Sequence, residues 1–411
     1  MNHRNTLLLT TFLVSRLVAQ QSGPEVTAWI LNPGGETGYG GLLSNVQQVQ
    51  YNNTDVYVSC TCIPGYDIGP WAGNPNTPAN QNFVFKITRS PQQNMGTPIV
   101  APLGHIGTWR NGVSIFNARD AMSYQNANIW NQNAIAVEGP SFDLCNGHPA
   151  PNGEYHHHLN PTCLYDDMND QVHSPIIGYA FDGFPIYGAY GFANPDGTGG
   201  VHRMNSSYRK RTITQRHTLP DGTVLSAGQY GPDVAGQYVL GYYIEDFEYV
   251  DGLGDLDAHN GRFSVTPEYP AGIYCYFVTL DELGVAAYPY TLGPTYYGTV
   301  PAGNTGPQSG HNTPPGDVIT WDGSTSIATF GPLRTIEAYP NPSTGEVSIP
   351  WSDATFVVDV FDGQGRMVRS ERIVASNARA RMDLSELPNG AYSLISVSNG
   401  NRSRASIIIT H

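Results

Sequence analysis

Residues 153–160 read GEYHHHLN, and the consecutive histidines His156, His157 and His158 are the densest chemistry in the chain. On a strand, alternate side chains share a face. His156 and His158 then point one way, and His157 points the other, outward. Two imidazoles on one face can converge on one ion, and neutral imidazole nitrogen binds zinc or copper at about 2.0–2.1 Å. An ion needs a third and a fourth ligand. His148 precedes the run by a Pro-Ala-Pro-Asn-Gly turn, and His173 follows it in HSPIIGYAFDGFPIYG, so these two are the expected completions. His259 is a more remote and weaker candidate, and Glu154 and Asp182 are candidates either as ligands or for the outer role of fixing an imidazole tautomer. Copper suits an all-imidazole, exported site because Cu(II) outranks zinc in intrinsic affinity, while zinc accepts the same nitrogens.

The competing reading is a structural or solvated histidine cluster, in a chain with 25 tyrosines to pack against. No catalytic group can be assigned. Gly-x-Ser-x-Gly does not occur, no Ser/His/Asp order can be read, and the carboxylates are too many to pair. Asp255 and Asp257 in DGLGDLDAHNG are a weak calcium candidate, because the 12-residue pattern with a terminal Glu is missing. SYRKRTITQRH, residues 207–217, is a basic patch read as a solvated loop or an internal partner for acidic groups.

Five cysteines bear on how the histidine loop is held. In an oxidising compartment they pair by default. Cys145 and Cys163 bracket the histidines and are the expected disulfide, with ligation by Cys145 as the alternative. Cys275 is expected to join Cys60 or Cys62.

The elements that must position these groups read as mainly β. Residues 82–88, 238–250 and 272–279 have the aromatic and β-branched content of strands. Asn111-Gly112 between two strand-like runs predicts a hairpin with a type I′ turn, and residues 118–130 one short helix. The chain divides into a signal peptide (1–20), a β-rich domain (21–300), a Gly/Pro/Ser/Thr-rich linker (301–334) and a small module (335–411). Within the linker, ITWDGSTSIATF can add a strand to either neighbour. The first segment has a basic start, an apolar run and a small residue before Gln20, the outline of a secretory signal. No stretch reaches the ~20 apolar residues of a membrane span. The module alternates strands and Gly-rich turns, as an Ig-like antiparallel β-sandwich does.

Charged residues are 13% of the chain and the net charge is −14, which argues against nucleic acid as a partner. Residues 335–411 balance seven Arg against eight Asp/Glu, so the acidity belongs to the larger domain, where it concentrates cations.

GHPAPNGEYHHHLNP, HSPIIGYAFDGFPIYG and LDAHNGRFSVTPEYPAGIYCYFVT, with the upstream IGPWAGNPNTPANQNFVFKI and GHIGTWRNGVSIFNA, resemble the YHYH domain family over residues 60–280. The family's Tyr-His-Tyr-His falls on Tyr155, His156, His157 and His158, with His157 in place of the second Tyr. The resemblance fixes the domain and brings no established activity with it. AYPNPSTGEVSI, VFDGQGRMV, MDLSELPNGAYSL and the terminal SIIITH are similar to the C-terminal sorting domain of type IX secretion. That resemblance implies the type IX machinery as a partner and a secreted or outer-membrane surface location. Two functions follow as expectations: a metal-binding surface protein with a metal-dependent activity, or a non-catalytic adhesion module with structural histidines.

Overall fold

The computed structural model describes residues 22–306, 308–323, 334–335, 337–350, 355–362, 367–374, 379–398 and 401–411. The expected signal peptide lies outside them. The chain forms two compact units, Met1–Gly323 and Ser324–His411.

The first unit is built on two sheets. A four-stranded sheet runs Ile319–Trp321, Val46–Tyr51, Asp55–Cys60, Phe83–Thr88. In Phe83–Thr88, strict alternation puts Phe83, Phe85 and Ile87 inside, as period two requires. An eight-stranded sheet runs Gly261–Ser264, Ile273–Phe277, Pro185–Tyr187, Ile176–Ala180, His105–Trp109, Ser114–Phe116, Tyr155–His157, Gly147–Pro149. Its central strands His105–Trp109 and Ile176–Ala180 are buried at every residue, so both faces of the sheet are covered there. Side chains from both sheets form one core that includes Val58, Phe85, Trp109, Ile115, Tyr155 and Phe181.

Residues 82–88 and 272–279 form strands as expected. Residues 238–250 yield only Phe247–Tyr249, after a single 3-10 turn at Ile244–Asp246. There the Asp246 carboxylate accepts from the Gly241 and Tyr243 amides, and this local turn displaces a longer strand. The helix expected in 118–130 is instead the strand Arg119–Ser123 and the turn Tyr124–Asn126. Gln125, Asn126 and Asn128 all have positive φ, which a right-handed helix excludes. The short helix comes later, at Ala134–Glu138, capped by the Asn133 side chain accepting from the Ile135 amide. The hairpin at Asn111-Gly112 forms with a different turn. Gly112 has φ +81° and donates to Trp109 O, Val113 O accepts from Trp109 N, and Asn111 keeps negative φ, so a three-residue loop replaces type I′.

The stretch read as a linker starting at 301 is docked on the first unit through residue 321. Asn304 bonds both the amide and the carbonyl of Lys86, and Asn312 donates to Val84 O. These side chains satisfy the outer edge of Phe83–Thr88. Ile319–Trp321 adds a strand to Val46–Tyr51. Composition misleads here because Asn, Gly and Ser can serve a sheet edge as well as solvent.

The second unit is the small β-sandwich. Five strands run Arg334–Thr335, Asn401–Ile409, Gly390–Ser398, Thr355–Phe361, Met367–Val374, and a pair joins Glu346–Pro350 to Arg379–Asp383. Val347, Ile349, Val358, Val360, Leu394 and Ile407 share its core. Along the last strand Ala405, Ile407 and Ile409 are buried, whereas Ile408 is exposed.

Candidate metal centre

The histidine strand Tyr155–His157 lies between Gly147–Pro149, which is antiparallel to it, and Ser114–Phe116, which is parallel. This register sets His148 directly opposite His156. His156 Nε2 is 3.0 Å from His148 Nε2 and 3.1 Å from His158 Nε2. Glu138, at the end of the short helix, brings Oε2 to 3.0 Å from His158 Nε2 and 3.4 Å from His148 Nε2. The ligand atoms of these four residues all lie within 4.8 Å of one another. Phe116 stacks on His156 at 3.8 Å between ring centroids, and Phe142 packs edge-on against His148, so the rings have little freedom to turn away.

The protons can be placed by counting donors. His158 Nδ1 is 2.6 Å from Asn117 O, and His156 Nδ1 is 3.1 Å from Glu154 O. A carbonyl only accepts, so both Nδ1 atoms carry hydrogen. His148 Nδ1 is 2.8 Å from Ser141 Oγ, whose own hydrogen goes to Glu138 O at 2.8 Å. Ser141 therefore accepts, and His148 Nδ1 is a donor as well. With all three protons on Nδ1, every Nε2 presents a bare lone pair, and these face one another and a carboxylate oxygen. Four acceptors without a donor repel each other in a buried site. A cation removes the conflict, and these outer hydrogen bonds leave Nε2 free for it.

Protonation is a poor substitute. Burial, and then the neighbouring His158 and His148, push the pKa of His156 well below the usual imidazole range. The Glu138 side chain is 28% exposed and that of His158 3%, so the carboxylate is on the open side. That side faces a cleft of about 530 Å³ lined by Leu103, Phe116, Arg119, Asp120, Val137 and Pro149 among others.

Of the expected ligands, the structure gathers His148, His156 and His158. His173 is elsewhere, donating Nδ1–H to Ser174 O and packed among Tyr187, Phe192 and Phe277. Its place is taken by Glu138. Of the outer candidates, Glu154 acts on His156 through its backbone carbonyl. Asp182 is buried with Tyr276 and the Gly298 amide, and burial pushes it up to about 6. His259 bonds Thr295. Neither belongs to the cluster: Asp182 sits in the turn between the mid-sheet strands Ile176–Ala180 and Pro185–Tyr187, and His259 precedes Gly261–Ser264, the strand at the opposite edge of the sheet. His157 does point away from His156, but into the core rather than outward. It is fully buried against Trp109 and Tyr155, and burial pushes its pKa down to about 3. The expectation failed because the sheet is covered on both faces there.

Cys145 and Cys163 form a disulfide, which closes the loop that carries His148, His156 and His158 and rules out Cys145 as a ligand. Cys60, Cys62 and Cys275 are buried free thiols, so the expected pairing of Cys275 does not form. The weak calcium candidates have other partners: Asp255 bonds Asn205 and His202, and Asp257 bonds Tyr274. The basic stretch turns inward, with Arg216 paired to Asp246.

Glu138 had no spacing signal, since it lies ten residues before His148 and outside the bracketed loop. Asn117 and Ser141, which orient two of the rings, were equally invisible.

Residues 84–287 match the YHYH protein family, and residues 337–410 match the secretion system C-terminal sorting domain. No curated protein matches the chain. Among solved structures it is similar to a biofilm-associated protein BSP domain, at 13% identity and a TM-score of 0.16, over 32% of this chain and 24% of that one. The chain thus spans about a quarter of that solved chain's length. Among the described residues no helix is long and apolar enough to cross a membrane. The sorting domain implies handling by the type IX secretion system and a secreted or cell-surface location. The chain thus carries a YHYH-family domain followed by a secretion-system C-terminal sorting domain.

Proposed function

We propose that the protein binds one divalent transition-metal ion at the surface of the cell or in the medium, held by His148, His156, His158 and Glu138. The observation that carries this reading is the convergence of three unprotonated Nε2 atoms and Glu138 Oε2 with no donor among them. The preference for copper rested on nitrogen ligands alone. A carboxylate among the donors suits zinc equally well, and zinc and copper are the two candidates. The three imidazoles are the fixed part of the site. Glu138, on the cleft side, is the ligand that can yield to water or a substrate oxygen, as metal-assisted hydrolysis requires.

Metal analysis of the protein secreted by its own host should find one zinc or copper per chain. Adding that ion to chelator-treated protein should stabilise it by about 2.7 kcal/mol at 100 times Kd. Glu138→Gln should weaken binding, and His173→Ala should leave it unchanged. A native preparation without stoichiometric metal, whose melting temperature ignores both ions, overturns the reading.

A further inference from the structure

A second cluster lies beside the histidine centre and shares none of its ligands. His105 Nδ1 is 2.9 Å from Glu154 Oε1, and His105 Nε2 is 3.0 Å from Ser309 Oγ. Glu154 is also held by Ser114, whose hydroxyl donates to Oε1 at 2.5 Å. The carboxylate accepts a hydrogen bond from Nδ1–H, so in the neutral imidazole Nε2 carries the lone pair that faces the serine hydroxyl. Phe83, Phe85 and Phe181 surround the imidazole edge-on and fix its plane. His105 and Glu154 are buried, whereas Ser309 is half-buried at the rim.

Ser309 arrives on the docked stretch after residue 301. Gln308 and Gly310 on either side have φ of +57° and +81°, so the serine projects from a sharp turn. For Gln308 that conformation is strained, and such strain gathers at functional sites. Gly310 admits no side chain, because a Cβ would come within 2.9 Å of Phe85 and 3.0 Å of Phe83. The one hydroxyl hydrogen can turn to Asn304 O at 2.9 Å, to Gly306 O at 2.7 Å or to His105 Nε2, and attack on a substrate requires it to turn to Nε2. Of its three acceptors, only His105 Nε2 is a base. The group faces a cleft of about 690 Å³ with Pro102, Leu103 and Phe83 in its wall.

We propose that Ser309, His105 and Glu154 form an acyl-transfer site for carboxylic esters with a small apolar acyl group. Ser309 Oγ bonds to the ester carbonyl carbon, the π pair moves to the carbonyl oxygen, and the hydroxyl proton passes to His105 Nε2. The carbonyl re-forms as the C–O bond to the alcohol breaks, and the leaving oxygen takes the proton from Nε2. Water then attacks the acyl-serine in the same way and releases the acid. Glu154 acts through His105 as a positioning residue, holding the tautomer and offsetting the imidazolium charge.

Treating the full chain with an alkyl fluorophosphonate tests this, since Ser309 Oγ would displace fluoride and keep the phosphonyl group. Peptide mass spectrometry should place one adduct on Ser309, and Ser309→Ala should remove it. p-Nitrophenyl acetate should show a burst of one nitrophenol per chain. Glu154→Gln, which keeps the backbone carbonyl, should slow labelling about 100-fold or more and change its pH profile. A purely structural role would move neither. No adduct on Ser309 in folded protein at pH 8, or an unchanged labelling rate in His105→Gln, overturns the proposal.

Discussion

The histidine centre and the Arg216–Asp246 pair are both buried polar clusters in the same unit, and they are completed in opposite ways. Both side chains of the ion pair are fully buried. Arg216 meets the carboxylate through Nε at 2.7 Å and Nη2 at 2.8 Å, and its other hydrogens reach Pro232 O, Tyr238 O and Val239 O. Asp246 accepts further from the Gly241 and Tyr243 amides. Donors and acceptors match, so the protein itself closes the account. In the histidine centre, three lone pairs and a carboxylate converge and the donors all point outward. The first cluster specifies the fold of residues 207–250. The second is a set of acceptors without a donor, the arrangement that the proposed ion would complete.

The largest contrast is in metal content. Losing an outer partner of a ligand costs roughly 10–100-fold in affinity, so loss of a ligand itself must cost more. His156→Ala should therefore leave no stoichiometric metal by dialysis and elemental analysis. His157→Tyr should keep it, since that ring faces the other side of the strand. If His157→Tyr loses the ion and His156→Ala keeps it, the two faces are reversed and the comparison fails.

The ion pair should fail in the other currency, stability. Asp246→Ala strands a buried guanidinium and should cost about 3–5 kcal/mol in urea unfolding. Metal stoichiometry at low temperature should not change. A loss below about 1 kcal/mol would mean that Arg216 finds water or another acceptor, and that the pair is not the closed unit described.

The smallest effect concerns Glu245, the neighbour of Asp246 in sequence. Its carboxylate accepts from the Asn131 amide at 2.7 Å and from Asn131 Nδ2 at 2.6 Å. Burial outweighs those bonds and pushes its pKa up to about 7 from 4.5. Between those values the folded protein holds more protons than the unfolded chain, so stability falls as pH rises from 4.5 to 7 and is level above. Glu245→Gln should flatten that slope in unfolding measured at pH 5 and pH 7.5. An identical slope in the variant would show that Glu245 is better solvated than its neighbour.

Much of the centre was legible because it is local. The period of a strand put His156 and His158 together, and the turn after His148 returned the chain beside them. The bracketing cysteines also met as the sequence implied. His173 and Glu138 mark where locality ended. His173 has the ligand chemistry, but its residue neighbours Ser174 and Tyr190 tie it to another part of the sheet. Glu138 is an unremarked carboxylate after Ala-Ile-Ala-Val, and only the packing of its short helix over the histidine strand makes it a ligand candidate. Ser309 was hidden still deeper, in a segment whose composition resembled a tether.

The sequence by itself determined the mainly β class, the small terminal sandwich and the pairing of same-face histidines, because strand periodicity and turn chemistry act over a few residues. Only the tertiary structure decided which carboxylate completes the centre, which way His157 is covered, and that residues 301–321 dock. Those depend on which strands become neighbours in the sheet, and on edges and faces that exist only once distant segments have met.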